Sequence, residues 1–187
     1  MPITLNGSGT VTGISAGGLP DGIIQSADLA TGVGGKILQV QQTFLNTAVS
    51  INGVQSYQDI SGFSASITPA SSSSKILVRV SMQASTGGES YFQLLRGSTA
   101  IGNGSAGNYD SFHGMFGNSA RSHHYDLKTI SCEFLDTPNT TSATTYKVQW
   151  GNVTNITTYL NRTAYSTSGL YYSYSGSSTI TLMEVAT

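Results

Sequence analysis

Charged side chains are scarce in this sequence of 187 residues. Lys and Arg together number 8, and Asp and Glu number 9, so the formal net charge is −1 and the charged fraction is 9%. Soluble domains usually carry about 25% charged residues. The few basic residues are scattered along the chain, which provides no electrostatic surface for nucleic acid or for anionic lipids. We therefore expect no nucleic acid among the partners of this protein.

Cysteines and long apolar runs are also lacking. Cys132 is the only cysteine, which excludes an internal disulfide and a zinc site built on several thiolates. Cys132 alternates with Ile130 and Phe134 and is interpreted as a small buried apolar residue. No apolar run approaches the roughly 20 residues that cross a bilayer as a helix, and the first residues do not resemble a signal peptide. We expect no membrane insertion.

The first 35 residues have a composition of their own. They contain 9 of the 22 glycines and no aromatic residue, and the first aromatic residue of the chain is Phe44. Such a segment cannot bury a core by itself, and a disordered tail is one interpretation of it. The other is a leader, residues 1–35, that orders only against another chain and holds one short helix over residues 27–30. The leader residues that we expect to make these contacts are Leu5, Ile14, Leu19, Ile23 and Leu29.

From Lys36 onward the apolar residues recur with a period of two, which is the period of a β-strand. Residues 75–84 show it most clearly, with one fully apolar face and a mixed face that carries Leu77 and Arg79. A tight turn at Gly97 is expected to join two strands as a hairpin. The predicted strands are residues 36–44, 63–67, 75–84, 90–95, 100–101, 129–135, 146–153, 169–174 and 179–185.

This set of short strands, joined by turns rich in Gly, Asn and Ser, predicts an all-β fold. We expect an antiparallel β-sandwich of the jelly-roll type, which forms a head over residues 36–187 behind the extended leader. Leu77 requires cover that a single sandwich does not give. A homotrimer is therefore favoured, because its subunit interfaces would bury such residues.

One irregular stretch, residues 102–124, is too long for an ordinary connection, since most connections have about 4–6 residues. Long loops inside compact domains are usually functional or disordered. Function is favoured because Tyr109, Phe112 and Phe116 would anchor this loop. We predict that these three aromatic residues take part in receptor binding.

A second group of aromatic residues lies in residues 152–174 and includes Tyr159 and Tyr165. Rigid rings beside neutral Asn, Ser and Thr side chains are typical of surfaces that recognise sugars or proteins. The same tyrosines would also suit a core or a subunit interface, and the sequence leaves both interpretations open. Tyr159 and Tyr165 complete the candidate receptor-binding residues.

No pattern of catalytic residues stands out. The sequence has no GxSxG motif, and no spacing singles out a pair of carboxylates as in a glycoside hydrolase. His113, His123 and His124 share one region with Asp110 and Asp126, but adjacent histidines on an extended segment point in opposite directions, which leaves one chain short of a metal site. A threefold axis could bring three copies of one histidine together. Solvated loop histidines are the simpler interpretation, and we predict no enzyme, no metal and no cofactor.

Short motifs run through nearly the whole chain in a fixed order. The leader ends in ADLATGVGGK, directly before ILQV, and later segments read ITPASSSSKILVRVSM, LLRGSTAIG, FLDTPNTTSATTYKVQW and STITLMEVAT. In this order the sequence resembles tail-fibre and related virion fibre proteins of tailed bacteriophages, particularly those of cyanobacterial and other marine bacterial hosts.

The resemblance implies a structural virion protein whose small β-sandwich head trimerises, with no catalytic residue to carry over. It implies three kinds of partner: copies of the chain itself, a virion adaptor or a baseplate or tail protein that binds the leader, and a glycan or protein of the host surface. The chain has no repeat-built shaft, so its place on the particle stays open. A tail fibre is favoured, a head fibre or capsid decoration protein is the alternative, and a hydrolase of surface glycan is a remote third.

Overall fold

The computed structural model describes residues 36–53, 56–104, 116–118, 126–165 and 173–187, with only the backbone of residues 116–118. In these ranges the regular secondary structure is β-strand, and no helix among them is long and apolar enough to cross a membrane. The strands are β1 Ile37–Leu45, β2 Val49–Asn52, β3 Gln58–Ile67, β4 Lys75–Thr86, β5 Ser90–Arg96, β6 Thr99–Ile101, β7 Phe116–Asn118, β8 Lys128–Asp136, β9 Thr144–Asn152, β10 Thr157–Leu160 and β11 Ser178–Val185.

These strands form two antiparallel sheets that pack against each other as a β-sandwich. Sheet A has the order β1-β11-β4-β10-β2, with β8 also paired to β4. Sheet B has the order β3-β9-β5-β6, with β7 also paired to β5. The predicted all-β, antiparallel sandwich is confirmed. The residues from Ile37 to Thr187 form one compact unit.

The central strand of sheet A is β4, which is long enough to pair with three partners. Ala84 pairs with Lys128 of β8 on one side and with Leu160 of β10 on the other. Nearer its start, β4 pairs with β11 on the same side as β10. Strands β11 and β10 therefore lie end to end, and β1 and β2 follow them in the next position of the sheet.

The alternation of residues in β4 fixes the core of the sandwich. Its apolar set, Ile76, Val78, Val80, Met82 and Ala84, is fully or almost fully buried. Each large apolar side chain buried in this way contributes about 1.5–3 kcal/mol. The side chains of sheet B that share this core are Ile60, Phe63, Ala65, Ile67, Phe92, Leu94, Tyr146, Val148 and Trp150.

Cys132 lies in β8 and packs against this core, as its alternation with Ile130 and Phe134 predicts. It is half-buried and forms no disulfide. Burial raises the pKa of its thiol to about 12. A thiol with such a pKa is a poor nucleophile at neutral pH, because the thiolate is the reactive form.

Strand β1 closes one side of the sandwich with its polar residues. The Gln39 side-chain amide donates to the Thr68 carbonyl over 2.7 Å, and the Thr43 hydroxyl donates to the Ser64 carbonyl over 2.6 Å. Both carbonyls lie along or just beyond β3, the edge strand of sheet B. Strand β1 thus turns polar side chains toward the edge of the other sheet, while Val40 and Phe44 are exposed on its outer face.

Asn161 organises the point where β10 ends and β11 begins. It has a positive φ of 63°, a left-handed conformation that Asn tolerates better than most residues. Its side-chain amide donates to the carbonyls of Leu45 and Thr47, over 2.8 and 3.1 Å, and its side-chain oxygen accepts from the Ser178 hydroxyl over 2.6 Å. Its backbone amide donates to the Gln83 carbonyl. One buried residue therefore joins β1, β4, β10 and β11.

A hairpin leaves the sheet at Asn161. Arg162 pairs with Ser175 in an antiparallel bridge, and the Thr163 amide donates to the Tyr174 carbonyl over 3.1 Å. Residues 169–172 of the predicted strand 169–174 lie outside the described residues, and Ser173 and Tyr174 are not in a strand. From Ser173 to Ser175 the chain returns as a short ladder, and the strand at residues 169–172 stays a prediction.

Most of the other predicted strands are confirmed, including the hairpin whose turn holds Gly97 at a φ of 59°. Strands β2, β7 and β10 were not predicted. The predicted leader and its helix at residues 27–30 lie outside the described residues. The division into leader and head stays a prediction.

Candidate functional site

Two turns meet at one end of the sandwich, which we call the rim. They are the β4–β5 turn at residues 87–89 and the β9–β10 turn at residues 153–156. The Val153 amide donates to the Glu89 carbonyl over 3.0 Å and ties the turns together. A Cβ on Gly88 would lie 3.1 Å from Ile156. Glycine at this position therefore lets the two turns approach closely.

A cluster of buried neutral groups lies under the rim, and each of its members is at most 3% exposed. The Thr158 hydroxyl donates to the Asn152 side-chain oxygen over 2.7 Å, and the Asn152 amide donates to the Ile156 carbonyl over 2.8 Å. The hydroxyls of Thr86, Ser90 and Thr158 hydrogen-bond to one another. These residues come from β4, β5, β9 and β10, so this hydroxyl cluster joins both sheets and holds both turns.

A groove runs over the two turns. One hollow of about 380 Å³ is lined by Gly87, Gly88, Glu89, Thr154 and Ile156. A second, of about 320 Å³, is lined by Gly87, Ile156, Thr157, Tyr159 and Ala164. Gly87 and Ile156 belong to both, so the hollows are adjacent. We call them together the rim groove.

Tyr159 supplies the aromatic ring of the rim groove. The guanidinium carbon of Arg162 lies over this ring, 4.3 Å from its centroid. A cation–π contact of this kind contributes about 0.5–1 kcal/mol at an exposed site and restrains the orientation of the ring. The Arg162 Nε atom is buried and has no hydrogen-bond partner among the described residues.

The predicted receptor-binding residues have different outcomes. Tyr159 lines the rim groove. Tyr165 is half-buried in the segment after β10, and its carbonyl accepts from the Thr163 hydroxyl over 2.9 Å. Phe116 begins β7, but its side chain lies outside the description, as Tyr109 and Phe112 do entirely. The leader residues outside the described ranges are Leu5, Ile14, Leu19, Ile23 and Leu29.

Most residues of the groove were not predicted from the sequence. The pair Gly87-Gly88 was a usable signal, because it follows the clearest strand and permits close approach of another backbone. Arg162 was a second usable signal in the sequence, since it is the only basic residue in 152–174 and lies three positions after Tyr159. Ile156 gave no signal, because only the folded chain brings its turn to Gly88.

The opposite end of the sandwich, which we call the base, holds an ionised triad. The Arg96 guanidinium donates to both carboxylate oxygens of Asp136 over 2.9 Å, and the Tyr146 hydroxyl donates to Asp136 over 2.6 Å. Burial, followed by the hydrogen bond to Asp136, raises the pKa of Tyr146 far above its usual value. Tyr146 therefore stays a neutral donor, and the triad ties the ends of β5 and β8 to β9.

A second carboxylate of the base, Glu184, is fully buried. Burial would by itself raise the pKa of Glu184. Hydrogen bonds outweigh that effect, and the pKa lies below its ordinary value: Gln39 donates over 2.6 Å, and the Ser74 hydroxyl and the backbone amides of Ala70 and Ser71 also donate. The carboxylate therefore clamps the β3–β4 turn without a cation.

The chemistry available at the rim is recognition by stacking and hydrogen bonding. The groove combines the Tyr159 ring, the hydroxyls of Thr154 and Thr157, and the Glu89 carboxylate. Within the described residues no three His, Cys, Asp or Glu side chains form a group that could hold a metal ion. Asp126 is exposed, and the three histidines and Asp110 lie outside the description. The predicted absence of enzymatic activity stays a prediction.

Comparisons with known proteins assign no family to the chain. No protein-family model matches it, and no curated protein matches it.

Proposed function

We propose that this chain forms a homotrimeric virion fibre, a tail fibre of a tailed bacteriophage, whose head attaches the particle to the host cell surface. The observation that carries the proposal is the rim groove, whose one hollow is lined by Tyr159 and Thr157 and whose other hollow is lined by Thr154 and Glu89. The resemblance of the sequence to virion fibre proteins indicates that the particle is a tailed bacteriophage and that the host is a bacterium. The leader would bind a virion adaptor or a baseplate protein.

The chemistry of the groove favours a surface glycan over a protein. An aromatic ring offers an apolar platform for the face of a sugar, and hydroxyl and carboxylate groups hydrogen-bond the sugar hydroxyls. Thr157 provides such a group in the hollow of Tyr159, and Thr154 and Glu89 provide such groups in the adjacent hollow. The two adjacent hollows extend over both turns, which suits a chain of sugars better than a single small molecule.

The scaffold under the groove favours binding because it is ordered before the ligand arrives. The hydroxyl cluster fixes both turns, and Arg162 restrains the Tyr159 ring. A site held in its binding conformation loses less conformational entropy when the ligand binds. A head that binds its ligand through few contacts gains affinity when the binding site is already ordered.

The test is the binding of fluorescently labelled full-length protein to a panel of cyanobacterial and other marine bacterial cells. We expect Tyr159→Ala to lower binding at least tenfold, because the stacking platform is lost. Tyr174→Ala is the matched control: this tyrosine is 54% exposed and does not line the groove. Equal binding by wild type and Tyr159→Ala would remove the rim groove from the proposal.

The place on the particle needs a separate measurement. Gold-labelled antibody against the head should mark the tail in electron micrographs of particles that carry this protein. Label over the capsid would instead support the head fibre or decoration protein. Release of new reducing ends from host polysaccharide would support the hydrolase and contradict the fibre that only binds.

A further inference from the structure

Four apolar side chains form a row across the outer face of sheet A. Val40 of β1 pairs with Met183 of β11, Met183 pairs with Leu77 of β4, and Leu77 pairs with Leu135 of β8. Residues directly opposite one another lie on the same face of a sheet. The neighbours of Leu77 in β4 point into the core, so this apolar row lies on the outside.

The exposed large apolar residues concentrate on this face. Within the described residues the large apolar side chains that are exposed include Val40 at 53%, Leu135 at 47% and Phe44 at 59%, and all three belong to it. Ile37, at 50%, pairs with Val185 on the same face. Soluble monomers rarely expose contiguous apolar patches of this kind, and larger ones mark interaction sites.

The orientation of β1 makes the exposure more significant. A strand at a solvated surface normally turns its apolar side chains inward and its polar ones outward. In β1, Gln39 and Thr43 face the edge of sheet B, where they hydrogen-bond its carbonyls, and Val40 and Phe44 face outward. This arrangement fits a strand whose outer face contacts protein.

A hollow lies beside the apolar row. It measures about 610 Å³, and its lining includes the small side chains of Ser81, Ser131 and Thr179. These three lie in one row across the sheet with Phe44, the most exposed of the large apolar residues. The same face thus carries an exposed ring at its β1 edge and a concave patch of small residues on β11, β4 and β8.

The charges next to the apolar row are self-complementary. Arg79 and Glu133 form a salt bridge of 2.8 Å, with side chains 59% and 57% exposed. A copy that approaches with the same face brings one such cation and one such anion, which can exchange partners without net repulsion. A nucleic acid or an anionic membrane would require an excess of basic residues instead.

We infer that the outer face of sheet A is a self-association interface whose occupant is a second copy of this chain, with Phe44 of one copy in the hollow of the next. The hollow spans β11, β4 and β8 on the same face as Phe44. When the ring of each copy enters the hollow of the following copy, the contact is head-to-tail, and such contacts close into rings when the rotation permits. The inference rests on the proposed function only for the number of copies, three. The location of the interface follows from the apolar row and the hollow on the outer face of sheet A.

The first test measures the mass of the full chain by light scattering at micromolar concentration. We expect wild type to be a multiple of the chain mass and Val40→Asp to shift toward the monomer, with a dissociation constant about 30-fold higher or more, the size of an interface hot spot. Tyr174→Asp places the same charge on an exposed aromatic residue of the hairpin between β10 and β11 and should leave the mass unchanged.

A second test does not depend on the folding of the Val40→Asp monomer. Phe44 and Ser131 lie three strand positions apart in one chain, about 14 Å, which is too far for a disulfide within it. In a Cys132→Ala background, the pair Phe44→Cys and Ser131→Cys should therefore form disulfides only between copies. We expect covalent oligomers upon oxidation, and either single cysteine alone should give few.

The outcomes separate the interface from the proposed function. A dimer that Val40→Asp dissociates supports the interface and contradicts the trimer. A monomeric wild type, an unchanged mass of Val40→Asp, or no covalent species from the double variant would each overturn the inference. Loss of cell binding in Tyr159→Ala, with the mass unchanged, supports the rim groove independently of either result.

Discussion

The two ends of the sandwich connect its sheets by different chemistry. At the rim, Thr86, Ser90, Asn152 and Thr158 form a buried cluster without a charged member. At the base, buried carboxylates make the connections. Asp136 bonds Arg96 and Tyr146, and Glu184 bonds the β3–β4 turn. The rim is therefore held by neutral hydrogen bonds and the base by ionised ones.

This difference separates two properties of the fold: tolerance of sequence change in the turns of the rim, and strong hydrogen bonds at the base. Charge-assisted hydrogen bonds are roughly twice as strong as neutral ones, but each leaves an ion stranded when a partner changes. A neutral cluster holds two turns while their outward side chains vary. The groove lies over the neutral end, and we expect the loss of one partner to destabilise the sandwich more at the ionised end.

The largest expected effect is at the base. Asp136→Ala leaves the buried Tyr146 hydroxyl without its acceptor and Arg96 without its carboxylate, and we expect a loss of about 3 kcal/mol in the free energy of unfolding. Urea unfolding at fixed chain concentration measures it.

Asp59→Ala is the matched control for this prediction. It removes a 2.7 Å ion pair with Lys147 whose Asp59 side chain is 55% exposed, and an exposed pair contributes at most about 1 kcal/mol. Equal losses in the two variants would mean that the base triad has no special importance.

A smaller effect is expected at the rim. Thr158→Val keeps the shape of the side chain but removes the hydroxyl that bonds Thr86 and Asn152, which should cost about 1–2 kcal/mol. Thr157→Val, the neighbouring control, loses only a bond to Asn52 at the surface and should stay within about 0.5 kcal/mol of wild type. A loss in Thr157→Val as large as in Thr158→Val would show that burial of the cluster does not matter.

The smallest expected effect distinguishes the ends by pH. Because the pKa of Glu184 is lowered in the folded state, its contribution to stability is present above the unfolded pKa and is lost as the pH falls through the folded one. Urea unfolding between pH 6 and pH 2.5 should therefore show a shallower acid loss in Glu184→Gln than in wild type. Glu133→Gln, in an exposed pair, should follow wild type, and the cost of Thr158→Val should not change with pH.

Much of the sandwich could be predicted from the period of two, and the strand 75–84 is the best case. Its alternation arises because only one face is buried, and a strand of this kind can be recognised from the order of its apolar and polar residues alone. Strands β2 and β10 have four residues each, which is too short for a period of two to stand out. They form because the end of β4 extends far enough to pair with β10, and β10 in turn pairs with β2, which is a tertiary effect.

The candidate site was predicted only in part for a related reason. Tyr159 could be identified as a ring among neutral polar residues, but its neighbours Gly87 and Ile156 come from turns about 70 residues apart. The orientation of β1 is a similar case. Alternation in its sequence defines two faces. The face with Gln39 and Thr43 turns inward because these side chains hydrogen-bond the carbonyls of Thr68 and Ser64 at the edge of sheet B.

The junction at Asn161 makes the hairpin an insertion point. The hairpin leaves at Arg162 and returns at the paired Ser175, so the segment between these two residues is anchored at both ends. Doubling the length of a flexible loop costs only about 0.6 kcal/mol, while Asn161 keeps β10 and β11 aligned. Selection can therefore rewrite what the hairpin displays, and an engineer can graft a foreign epitope there, without redesigning the sheets beneath it.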